Sequence, residues 1–285
     1  MDDYIHASSR AGPRGNCEGY PLLIRRTSVH PPRWIVPFYT VAGIVIAAVG
    51  CAGSQGSDKA GGGASSSVLE QGLVAHWCFD SEAGVDCSKG GFDGYVVGSI
   101  QATDGIVGKA ASFDGSSWIE VPSPFFLDGL CEVSLSVFMR MDDVGNGSQI
   151  LGGGDFRGGT DPLSFQFYGG RFTNVGFEDI TQDTRIKADW DDDTVRYGAD
   201  QWYHFATTLA QADDGARLRI YLDGVLVEEV HEPGRRCVGY DITMPTQIGA
   251  IHGEQVWKGA IDELRIYHRT LSDEEVALLA APLPQ

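Results

Sequence analysis

The sequence predicts an all-β fold, a sandwich or barrel, and three observations carry that prediction. From Leu73 onward the chain breaks into short segments of alternating polarity, separated by glycine-rich turns. Val133, Leu135, Val137 and Met139 alternate with Ser134, Ser136, Phe138 and Arg140, and Leu218, Ile220 and Leu222 alternate with Arg217, Arg219 and Tyr221. Asp223-Gly224 then turns the chain into Val225-Leu226-Val227, a type I′ hairpin signal, and Asp214-Gly215 separates two further strand-like runs. Many short strands with regular turns belong to sandwiches and barrels.

The N-terminal part reads differently. Residues Trp34 to Gly50 form a 17-residue apolar run preceded by Arg25, Arg26 and Arg33. Small and polar residues follow it, as they follow an export signal. The run also reaches the lower limit of ~17–25 residues for a membrane-spanning helix, so a single-span anchor stays open beside a cleaved signal. Ala48-Val49-Gly50-Cys51 resembles the lipobox of bacterial lipoproteins, with Ala48 where that motif usually has leucine. The resemblance implies lipidation of Cys51, and Ala52 after it resembles the outer-membrane pattern. Residues 1–50 are therefore read as targeting, 51–67 as a Gly/Ser-rich linker after the lipid site, and 68–285 as one domain.

Charge is divided in the same way. Residues 1–67 carry six Lys/Arg against four Asp/Glu, whereas 68–285 carry fifteen against thirty-five. A domain at −20 is ill suited to nucleic acid, whose phosphates demand the opposite sign. It suits solubility, cations or neutral sugars. Cysteine usage agrees with export. Beyond Cys17 and Cys51, four cysteines remain, an even number. The short loop favours Cys78–Cys87, which leaves Cys131–Cys237. No Cys or His spacing describes a zinc site.

At the C-terminal end Ser272 and Glu275 make an S-x-x-E capping box, with Val276, Leu278 and Leu279 as the apolar side of one short helix. Just before it, in WKGAIDELRIYHRTL, simple alternation sends Asp262, Leu264 and Ile266 to one face and Glu263, Arg265 and Tyr267 to the other. A carboxylate among core residues costs several kcal/mol unless a cation or hydrogen-bond donors offset it, roughly the penalty of an uncompensated buried charge.

Six fragments in order carry a whole-domain resemblance: LVAHWCFD (73–80), VDCS (85–88), GIVGKAASFDG (105–115), WYHF (202–205), IYLDG (220–224) and GAIDELRIYHRTL (259–271). Together they resemble the laminin G-like, concanavalin A-like lectin domains. The resemblance implies a two-sheet antiparallel jelly-roll sandwich with one short C-terminal helix. Phe138 departs from it, standing where the family often has tryptophan, and the segment between Gly152 and Asp200 is longer and more acidic. The resemblance also implies a structural calcium between the first and last strands, with Asp262 and Asp86 as ligands and Asp93 beside them. The alternative is that Asp262 accepts backbone N–H bonds and binds nothing.

Ligand candidates are fewer. Trp190 in the run Asp189-Trp190-Asp191-Asp192-Asp193 offers a ring for stacking on a sugar, with Asp191 to hydrogen-bond hydroxyls and Tyr197 nearby. The plain alternative is a solvated loop whose tryptophan tucks against the sandwich. Gly108-Lys109 lacks the remaining residues of a phosphate loop. Glycosidases on this fold need two acids on one face, in the related glucanases a Glu-x-Asp-x-Glu pattern. Adjacent pairs such as Glu228/Glu229 and Asp262/Glu263 point to opposite faces of a strand. The sequence thus leads to an exported, membrane-tethered, non-enzymatic module that binds carbohydrate or glycoconjugate. The second reading is an adhesion or envelope module that binds protein.

Overall fold

The computed structural model describes residues 68–281 apart from short segments at 123–126, 143–147, 156–159, 169–170, 180–183, 191–198 and 240–244. Cys51, the leader, the linker up to residue 67, Asp191 and Tyr197 lie outside the described residues.

Two antiparallel sheets face each other. The larger runs β13 (Val225–Glu232), β12 (Gly215–Leu222), β11 (Trp202–Ala212), β6 (Val133–Met141), β15 (Lys258–Tyr267), β4 (Lys109–Asp114) and β3 (Gln101–Asp104). Its eighth strand, β1 (Leu73–Trp77), pairs with β15 off this path. The smaller sheet runs β10 (Thr184–Trp190), β9 (Arg171–Asp179), β8 (Thr160–Tyr168), β7 (Ser148–Asp155), β14 (Thr246–Ile248), β5 (Trp118–Val121) and β2 (Tyr95–Val97). This is the jelly-roll sandwich that the sequence resemblance implies.

The alternating strands explain the core. Val133, Leu135, Val137 and Met139 of β6 all turn inward, as do Leu218 and Ile220 of β12. The smaller sheet answers with Leu163, Phe165 and Phe167 of β8 and Phe172, Val175 and Phe177 of β9. The sheets meet where Phe172 stacks on Phe205 at 4.3 Å between ring centroids, while Phe165 meets Phe177 edge-on at 5.6 Å. Asp223 and Gly224 both take positive φ, 47° and 79°, as the type I′ turn between β12 and β13 requires.

Helix α1 (Asp273–Ala280) starts with the expected reciprocal capping box between Ser272 and Glu275. It packs Val276 and Leu279 on the outer face of the larger sheet, against Ala206, Tyr221, Tyr267 and Leu271. Arg269 fixes its first turn through two bonds to Glu275, at 2.8 and 2.7 Å. Both expected disulfides form, Cys78–Cys87 and Cys131–Cys237. The second closes a separation of 106 residues, so on chain-entropy grounds it contributes ~4–5 kcal/mol by restricting the unfolded chain.

Candidate functional site

Simple alternation mispredicts the face that Asp262 occupies. Asp262 pairs with Phe138, but the next pair along β15 is Arg265 with Ser136, so residues 263 and 264 together oppose Val137. This is a β-bulge, and Glu263 holds φ at +53° within it. Before the bulge Ile261 faces the core, and after it Leu264 and Ile266 do. Asp262 therefore lies on the opposite side from them, fully buried. The bulge falls where β15 changes partner from β4 to β1. Asp262 bridges that change: its Oδ2 accepts from the backbone N–H groups of Ile106 and Val107, at 2.8 and 3.0 Å. A Cβ at Gly105 would lie 2.5 Å from the same oxygen, so the loop needs glycine there to come this close. Burial pushes the Asp262 carboxyl up to about 7, against the pull of those two N–H donors.

The other acidic candidates are also turned to the backbone. Asp86 accepts from the N–H groups of His76, Ser88 and Phe92 at 2.8–2.9 Å. Burial would raise its pKa, but those donors more than offset burial and hold it below the usual range. Asp93 Oδ1 takes the Asp86 N–H at 2.8 Å. Calcium takes six to eight oxygens. Among the described residues no group of three or more His, Cys, Asp or Glu side chains is placed to hold a metal ion. Asp86, Asp93 and Asp262 are thus not gathered into one such group. Each pins a loop instead.

Trp190 needs a correction too. It ends strand β10 rather than sitting in a loop, pairs with Phe172 and is 9% exposed within the main core. Its ring is closed to a stacking ligand.

The outer face of the smaller sheet offers amides and hydroxyls. Strand pairing aligns Tyr95, Glu120, Gln247, Gly152, Ser164, Gly176 and Lys187 in one row across all seven strands. The loop after β14 interrupts this row. Ile251 and Glu254 bond each other's backbone around His252 and Gly253, both at positive φ, making a tight hairpin. The hairpin lies directly on β7: a Cβ at Gly152 would sit 2.7 Å from both Ala250 O and Ile251 Cβ. Gly253 N–H donates to Gln247 Oε1 at 2.9 Å and ties the tip down.

On the β8–β9 side of the hairpin, one connected network fills the face. Asn174 Nδ2 donates to Ser164 Oγ at 3.0 Å, and Thr173 Oγ1 donates to Gln166 Oε1 at 3.1 Å. Gln255 Oε1 receives Gln166 Nε2 at 2.6 Å and Gln149 Nε2 at 3.2 Å. Gln149 Oε1 in turn accepts the Phe165 N–H at 3.1 Å. Gln149 and Ser164 are buried anchors, whereas Gln166, Thr173, Asn174 and Gln255 are half-buried and reach solvent. Asp189 orders the backbone at this place by accepting the Asn174 N–H at 2.6 Å. Such an array of fixed neutral donors and acceptors matches polyhydroxylated ligands, since each amide still has bonds to give.

Motif reading passed over these residues because glutamine and asparagine make no motif, and they come from distant parts of the chain. The available signal was alternation alone: in LSFQF of β8, Ser164 and Gln166 have to face outward once the flanking apolar residues face in. Glu120 on β5 and Glu178 on β9, two of the carboxylates on this face, stand four strands apart, about 19 Å at ordinary strand spacing. That exceeds the ~5–9.5 Å of glycosidase pairs. Glu178 is moreover paired with Lys187 at 2.6 Å.

Two facing antiparallel sheets make this domain a jelly-roll sandwich. Residues 113–277 match the laminin G-like family described as the Concanavalin A-like lectin/glucanases superfamily, and the chain belongs to that family. Solved structures share the fold. Domain 4 of a GH43 extracellular arabinanase from Geobacillus stearothermophilus, in complex with arabinotriose, has a TM-score of 0.53 and 23% identity, covering 73% of this chain and 98% of that one. The binding domain of Paraclostridial Mosquitocidal Protein 1 has a TM-score of 0.55 at 14% identity, covering 74% of this chain and 52% of that one. The binding domain of botulinum neurotoxin serotype G has 0.52 at 14%, covering 73% and 50%. This chain therefore spans about half the length of the two toxin domains. No match was found among curated proteins.

Proposed function

We propose that this domain binds neutral carbohydrate on the outer face of its smaller sheet. The observation that carries this reading is the network of Ser164, Gln166, Thr173, Asn174 and Gln255, in which buried members fix the orientation of half-buried ones. Pre-positioned polar groups of this kind give orientation and specificity to a sugar at little ordering cost. The arabinanase domain supports the reading, being a module of the same fold solved with a trisaccharide. The acidic character of 68–285 favours neutral over anionic glycans. The test is glycan-array binding of the full chain beside a Gln166→Ala/Asn174→Ala variant. Selective loss of a neutral glycan signal in the variant supports the reading, and an array without signal for the folded wild type removes it. The burial of Trp190 favours the second reading, a protein-binding envelope module, which gains ground if the array is silent.

The two disulfides and the laminin G-like domain fit work outside the cytoplasm. Attachment to a membrane, through lipidated Cys51 or through the apolar run 34–50, belongs to the same reading. Loss of fatty-acid labelling in Cys51→Ser would support lipidation, and membrane retention of an unlabelled chain would favour the span. Calcium has no part in the binding step proposed here. The structural calcium implied by the resemblance is tested separately: a melting temperature higher in calcium than in chelator would support it, and equal melting would remove it.

A further inference from the structure

Across the hairpin from the amide network, the same face carries a different chemistry. Tyr95 on β2 is 52% exposed, and its hydroxyl donates to Glu120 Oε1. Trp118 Nε1 and Gln247 Nε2 both approach Glu120 Oε2 at 3.5 Å. The carboxylate is thus held down on the sheet between an aromatic and an amide. Trp118 is half-buried, with one rim of its indole against Gly253 at the hairpin tip. Tyr95 and Trp118 are diagonal neighbours across the β2–β5 pair, within reach of one bound ring.

We propose that Tyr95, Trp118 and Glu120 form a second carbohydrate subsite, so that the domain grips a neutral glycan of several residues at two points on either side of the hairpin. This rests on the carbohydrate reading above and names the ligand class for it. Aromatic surfaces take the C–H face of a sugar ring, and a fixed carboxylate accepts from its hydroxyls. The same carboxylate turns away uronic and sialic acids. From β5 to β8 are three strand spacings, about 14 Å, wider than one sugar ring. Two weak contacts on one chain then reinforce each other through effective concentration.

The experiment is calorimetric binding of ladders of neutral arabino- and cello-oligosaccharides, from one to six residues, to the full chain. Wild type should bind the hexamer of one ladder at least roughly tenfold more tightly than the monomer. Tyr95→Ala, a surface change that leaves folding intact, should erase most of that gain while leaving monomer binding unchanged. Trp118→Ala should do the same where circular dichroism shows it folded. Asn174→Ala should lose monomer and hexamer alike. If Tyr95→Ala and folded Trp118→Ala bind the hexamer as wild type does while Asn174→Ala does not, the second subsite is refuted and the carbohydrate reading stands. If wild type binds no member of either ladder, both fall together.

Discussion

The two outer faces of the sandwich handle polar side chains in opposite ways. On the larger sheet, around β6 and β15, several are buried and tied to the backbone or to each other. Asp262 is tied to Ile106 and Val107, Ser134 Oγ donates to Arg269 O at 2.8 Å, and Ser136 Oγ shares a hydrogen with His204 Nε2 at 2.9 Å. Helix α1 seals one end of that face. On the smaller sheet the polar groups are fixed at their roots but reach solvent at their tips. The lesson is that a conspicuous residue in the sequence, a carboxylate in an apolar strand, marks where the fold is held together. An inconspicuous set of amides marks where it meets something else.

If that contrast is right, perturbing the larger sheet changes stability, and perturbing the smaller sheet changes binding. The largest expected effect is on acid stability. Burial, with the Arg265 charge adding to it, holds His204 neutral and lowers it to about 3. The unfolded chain takes up that proton near pH 6.5, so the stabilisation is complete above 6.5 and is lost as pH falls from 6.5 towards 3. At the acid end this amounts to about 4–5 kcal/mol. Because Asp262 titrates in the opposite sense in both proteins, urea unfolding at stepped pH should show wild type losing stability relative to His204→Gln as pH falls from 6.5 towards 3.

Next in size is Asp262→Ala, which leaves two N–H groups of the 105–108 loop without their acceptor. A loss of about 2–4 kcal/mol is expected, read as a lower urea midpoint, with glycan affinity of the folded fraction unchanged. Asp262→Asn keeps an acceptor and removes the charge. Because burial raises the Asp262 pKa, its charged form weighs against the fold: the contribution is complete below pH 3.8 and is lost as pH rises from 3.8 through about 7. The asparagine variant should therefore match or exceed wild type at pH 8. Ser272→Ala removes the helix cap and should cost about 1 kcal/mol. Asn174→Ala should cost a similar amount, about 1 kcal/mol, since Asn174 holds φ at +54°, a conformation alanine adopts less readily. Yet this change should abolish sugar binding, and a large stability loss with intact binding would invert the comparison.

How much of this was legible in the sequence follows from the same contrast. The strands of β6 and β12, the Asp223-Gly224 turn, the helix cap and Cys78–Cys87 were readable because each depends on local spacing, and Cys131–Cys237 followed by elimination. Asp262 was visible as an anomaly, but its face was misassigned, since a bulge shifts alternation by one residue and no local motif announces it. Trp190 looked like a loop residue because aspartates flank it, whereas pairing with Phe172 draws it into the core. The amide face was illegible as a site because Gln149, Ser164, Gln166, Asn174 and Gln255 converge only when β7 to β9 and the 251–254 hairpin are packed together.

The most direct test of the central claim is hydrogen–deuterium exchange of the full chain with and without a bound neutral oligosaccharide. The account predicts added protection in β7 to β9 and in the hairpin at 251–255, with the larger sheet unchanged. Protection confined to the larger sheet, around Asp262 and the 105–108 loop, would contradict it.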